Sequence, residues 1–70
     1  MGMPAKAFQI PTMLGDEDAS LVENTLRQID GVQRVDVQAQ AKRITVEFHE
    51  PATWDELRRS LETLGFTPEA

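Results

Sequence analysis

Two hydrophobic periods alternate along this chain, and each change of period marks a new element. From Lys6 to Thr12 the period is two: Phe8 and Ile10 share one face and Ala7 and Gln9 the other, the pattern of a half-buried strand. Pro11 has no N–H to give to a ladder, so the strand is expected to end or bulge near it. After the loop 13–18, Ala19, Val22, Leu26 and Ile29 recur at spacings of three and four, an apolar stripe that predicts a helix. Its first residue stays open, because Asp16 or Asp18 can cap it and Ser20 with Glu23 also has capping-box spacing. Gly31, after Asp30, fits the left-handed position past the helix end.

The period of two then returns twice. Val35, Val37 and Ala39 alternate with Arg34, Asp36 and Gln38 in a strand over 32–39, and Ile44, Val46 and Phe48 alternate with Arg43, Thr45 and Glu47 over 42–48. The short gap at Gln40–Ala41 implies an antiparallel hairpin, although no glycine marks its turn. His49-Glu50-Pro51 breaks the strand, Thr53 with Glu56 forms a capping box, and Trp54, Leu57, Leu61 and Leu64 form the stripe of a second helix that Gly65 stops. Phe66 to Ala70 reads as a short last strand, weakened by Pro68. The order β-α-β-β-α-β, with one apolar face on each element, predicts an α+β ferredoxin-like sandwich: two helices on one face of a four-stranded antiparallel sheet. The other sheet face should be wet, and the second and fourth strands should form the sheet edges.

Seventy residues allow one domain, 1–70, with the first five residues expected to be flexible. The chain has no cysteine, hence neither a disulfide nor a thiolate for a soft metal. A net charge of −5 repels phosphate backbones, which argues against nucleic-acid binding. No apolar run approaches the roughly 20 residues that cross a bilayer. The segment 1–6 lacks the apolar core of a signal peptide, and Lys6 stands where a myristoylation signal needs Ser or Thr, so a cytoplasmic protein without membrane insertion is expected.

Several segments carry a family resemblance. Val22-Glu23-Asn24-Thr25-Leu26 followed by Ile29-Asp30-Gly31-Val32 resembles the first helix and exit turn of heavy-metal-associated domains. Ile44-Thr45-Val46-Glu47-Phe48 before Pro51 is similar to that family's V-x-V-x-Y/F-D-P segment, with His49-Glu50 shifting the proline by one. Leu61-Glu62-Thr63-Leu64-Gly65-Phe66 resembles its closing I/L-E-x-x-G-Y/F. The family's signature loop is G-M-x-C-x-x-C, and the spacing from Val22 places Thr12 to Asp18 on it. Met13 then matches the family methionine, Gly15 and Asp18 fall at the cysteine positions, and Thr12 replaces the glycine. Copper(I) is held by thiolates, whereas a glycine offers no side-chain ligand and an aspartate offers hard oxygens, so the family's copper(I) site is not expected to survive.

The resemblance implies a non-catalytic module linked to metal transport. It would dock on a metal-transport ATPase or self-associate through a sheet edge, with Leu14, Gly15, Glu17 and Phe66 as interaction residues and no resident cofactor. The alternative is a true metal-binding protein that holds an ion weakly through Met13, Asp16 and Asp18. Each of these residues also has a plainer reading. Asp16, Glu17 and Asp18 suit the positive end of a helix dipole, and they lack the spacing of a calcium loop. Met13 reads first as packing beneath the loop, and Met1 and Met3 as parts of the terminus. His49, the one histidine, reads as a surface residue, and the sequence does not fix at which end of the sheet it lies. Trp54 reads as core packing before it reads as a binding anchor. A small enzyme is disfavoured, because Ser20 and Ser60 have no His-Asp constellation and Gly15 is isolated rather than part of a phosphate loop.

Overall fold

The computed structural model describes residues 5–69; Met1 and Met3 lie outside the described residues. The elements are β1 (Ala5–Gln9), α1 (Gly15–Arg27), β2 (Val32–Gln38), β3 (Arg43–Phe48) and α2 (Trp54–Thr63). The sheet is antiparallel in the order β1-β3-β2. Phe8, Val35, Ile44 and Val46 point from it into the core, where with Ile10, just past β1, they join Val22 and Leu26 of α1 and Leu57 and Leu61 of α2. These are the apolar positions of each period, so the two-layer packing follows directly from the pattern. On the opposite face, the rows Ala5-Glu47-Arg34, Ala7-Thr45-Asp36 and Gln9-Arg43-Gln38 run across the strands and remain exposed or half-buried.

Three expectations need correction. The fourth strand is reduced to a single antiparallel bridge, Gln9 with Glu69, in which the two residues exchange N–H···O bonds of 2.8 and 2.7 Å. Pro68 brings no donor to a ladder, so pairing begins only after it, and Ala70 lies outside the described residues. The sheet therefore has β2 at one edge and β1, for most of its length, at the other. Next, β1 ends at Gln9 rather than Thr12, since Pro11 and Thr12 enter a turn closed by Met13 N–H on Ile10 C=O at 3.0 Å. Finally, β2 ends at Gln38, and Ala39 belongs to the hairpin turn, where Lys42 N–H donates to Ala39 C=O at 3.2 Å.

The helix ends follow local chemistry. Thr53 caps α2, its Oγ1 accepting from Glu56 N–H at 3.2 Å. At the other end Gly65 takes φ +93°, while Gly65 N–H bonds Glu62 C=O and Phe66 N–H bonds Leu61 C=O. That paired bonding, with buried Phe66 behind it, closes the last turn and satisfies its carbonyls. Trp54 opens α2 half-buried, its ring tilted against Phe8 at a centroid distance of 4.8 Å, with Lys6 Nζ 5.0 Å from its centre.

Candidate functional site

Antiparallel pairing sets which turns share an end of the molecule. The end of β1 lies beside the start of β3, so the β1–α1 loop, the β2–β3 turn and Glu69 form one end. His49 lies at the other end, where its N–H donates to Gly31 C=O at 2.9 Å. His49 Nδ1 donates to Glu50 C=O at 2.7 Å, which leaves Nε2 to accept from Gln33 Nε2 at 2.6 Å. These contacts tie the His49 ring to its own turn and to β2.

The β1–α1 loop is built outward from a buried anchor. Met13 has 0% of its surface exposed and sits in the core among β1, α1 and α2, so its thioether faces the interior. Leu14, the next residue, is 70% exposed. Gly15 follows at φ +75°, the left-handed region that favours glycine, and a Cβ there would meet open space. Asp16 and Glu17 are exposed in the first turn of α1, and Asp18 is half-buried.

The capping of α1 differs from both sequence expectations. The cap position is Leu14, and its side chain caps nothing. Asp18 instead reaches back from inside the first turn, its Oδ2 accepting Leu14 N–H at 2.7 Å. One of the three residues expected to ligate an ion thus spends its carboxylate on the loop's own backbone. Among the described residues, no three His, Asp or Glu side chains are grouped to hold a metal ion. Of the four expected interaction residues, Leu14, Gly15 and Glu17 are exposed around the loop, whereas Phe66 is 8% exposed and packs in the core.

Lys42 is the residue that the sequence reading passed over. It adopts φ +54° in the hairpin turn, its C=O accepts Ile10 N–H at 2.9 Å, and its Nζ donates to Pro11 C=O at 3.2 Å. A turn of this length without glycine had to place some other residue in the left-handed region, and that was the available signal.

At this end a hollow of about 250 Å³ is lined by Ala7, Phe8, Gln9, Arg43 and Glu69. A hollow of about 410 Å³ follows the outer face of α2, lined by Thr53, Asp55, Glu56, Arg59, Ser60 and Thr63, and Asp55 there is engaged by Arg58 and Arg59.

The sequence profile of the heavy-metal-associated domain matches residues 7–67. The chain belongs to that family. The COP-associated protein of Helicobacter pylori is 33% identical over 58 residues, covering 83% of this chain and 88% of that protein. The crystal structure of oxidized MerP from Ralstonia metallidurans CH34 superposes with a TM-score of 0.89 over 96% of this chain and 94% of that one, at 18% identity. The Cu(I)-loaded N-terminal domain of a potential copper-translocating P-type ATPase from Bacillus subtilis superposes with a TM-score of 0.87 over 99% of this chain and 86% of that one, at 26% identity. This heavy-metal-associated domain is thus related to metal-transport proteins and shares their fold, while having no cysteine in its sequence. No helix among its described residues is long and apolar enough to cross a membrane.

Proposed function

We propose that this heavy-metal-associated domain is a non-catalytic docking or regulatory module of metal transport that has given up carriage of a soft ion. The observation that carries the reading is the chemistry of the β1–α1 loop. Gly15 and Asp18 stand where the family's cysteines belong. Gly15 has no donor, Asp18 is bound to Leu14 N–H, and the Met13 sulfur is turned into the core. Copper(I) selects thiolate and thioether ligands, and this loop displays neither on its surface. What it does display is Leu14, with Asp16 and Glu17 beside it. An exposed leucine ringed by acids suits a partner surface with an apolar recess and a basic rim. A metal-transport ATPase domain is the partner class suggested by relatives such as the Bacillus subtilis domain. The 70 residues act as one such module in the cytoplasm.

Two titrations of isotopically labelled protein test this. In the first, copper(I), zinc and manganese are added to chelator-treated protein while amide shifts are followed. The expected result is no saturable movement from Gly15 to Asp18; saturable shifts there would restore the reading of Met13, Asp16 and Asp18 as ligands. In the second, the N-terminal domain of a metal-transport ATPase from the same organism is added. Shifts at Leu14, Gly15 and Glu17 that Leu14→Asp abolishes are expected, and an unperturbed loop at millimolar partner would overturn the docking reading.

A further inference from the structure

The backbone around the loop holds a second device. Ile10 N–H goes to Lys42 C=O, Ile10 C=O to Met13 N–H, Pro11 C=O to Lys42 Nζ, and Leu14 N–H to Asp18 Oδ2. Between Ile10 and Leu14, protein groups therefore satisfy these donors and acceptors. Two of the four bonds come from charged side chains, one at each end of the loop, and charge-assisted bonds are the stronger kind. Lys42 is the more telling of the two. It is far from the loop in sequence and holds Ile10 through its carbonyl and Pro11 through its ammonium.

We infer that Lys42 is the strut that presets the β1–α1 loop, so that the displayed position of Leu14 is fixed by this chain alone and does not wait for a bound ion. The inference builds on the docking reading above and gives it a regulatory consequence: the loop is always in its presented form. The left-handed backbone of Lys42 is part of the device, because it turns the carbonyl toward Ile10 while the side chain reaches Pro11. Met13 pins the centre of the loop in the core, and Asp18 closes its far end. With both ends and the centre held, Leu14 has little freedom to fold back onto the surface. Lys42 is a positioning residue here, since it acts on a partner only through the loop.

The test is amide hydrogen exchange by NMR on chelator-treated protein, with no partner present. In the parent protein, the amides of Ile10, Met13 and Leu14 are expected to exchange at least roughly tenfold slower than in an unstructured chain. In Lys42→Gly, which removes the ammonium yet suits the positive φ, Met13 and Leu14 should lose most of that protection, while Val46 and Leu61 amides keep theirs as the control for folding. Lys42→Arg retains a donor and should restore protection at least in part. Unprotected loop amides in the chelator-treated parent, or a Lys42→Gly protein whose loop exchanges like the parent, would overturn the inference. The outcome is separable from the docking proposal, because loop protection is read without a partner and partner shifts are read without exchange.

Discussion

Gly31 C=O accepts the His49 N–H at 2.9 Å, and this bond ties the turn after α1 to the turn before α2. The approach is so close that a Cβ on Gly31 would overlap the His49 carbonyl and lie 2.8 Å from Ala52 N and 2.9 Å from Ala52 Cβ. Gly31 also has φ +101°, so both the space and the backbone exclude a side chain. Gly31→Ala is expected to destabilise the fold by about 2 kcal/mol or more, the sum of left-handed strain and a displaced turn. Urea unfolding followed by circular dichroism measures this.

Gly15 provides the contrast. Its φ is +75°, but a Cβ there meets nothing within 4 Å. Gly15→Ala should therefore cost only the conformational part, about 1 kcal/mol, with an unchanged denaturant slope. A cost equal to that of Gly31→Ala would mean that the loop end is packed more tightly than its geometry indicates.

Leu14→Asp should leave the unfolding free energy within about 0.5 kcal/mol of the parent, because the side chain is exposed. The same change one residue earlier has the opposite outcome. Met13→Asp would bury a carboxylate in the core and should prevent folding at room temperature, visible as loss of amide dispersion.

Leu61→Ala opens a cavity beneath the loop end, where Leu61 is fully buried and its carbonyl accepts Phe66 N–H. A loss of about 2–5 kcal/mol is expected, a large share of what a domain of this size can spare. Thermal melts should show the midpoint falling by many degrees.

Arg58 lies on the outer face of α2 between Asp55 and Glu62. The hydrogen bond that Arg58 donates to Asp55, then the charges of Glu62 and Asp55, raise its pKa above the ordinary arginine value. A raised value on a cation contributes stability that is fully present below the unfolded pKa and is lost only as pH rises through the folded one. Both lie far above neutrality, so Arg58→Gln should unfold with the same offset from the parent at about pH 6 as at about pH 9. Added salt should shrink that offset, as expected for an exposed network.

Much of this was legible in the chain because the core positions follow strict periods. Spacing alone turns Phe8, Ile10, Val22, Leu26, Val35, Ile44, Val46, Leu57 and Leu61 inward, and all are buried, whereas Leu64, the last residue of the α2 stripe, is exposed at the helix end. The Thr53 cap and the Gly65 stop were likewise local chemistry, readable from a few neighbouring residues. What escaped depended on residues distant in sequence. The shortened fourth strand depends on where Pro68 leaves the chain against β1, and the cap on α1 depends on Asp18 turning back to Leu14 rather than forward. Lys42 was hidden for the same reason: a surface lysine in a turn carries no periodic signal, and its partners lie some thirty positions away.

The single bridge between Gln9 and Glu69 also puts Ala5 and Glu69 at opposite poles of the sheet. Ala5 pairs with Glu47 at the His49 pole, whereas Glu69 departs at the pole that carries Leu14. A bulky group attached at Glu69 would therefore crowd the β1–α1 loop, while the same group attached at Ala5 would hang from the opposite pole and leave that loop clear.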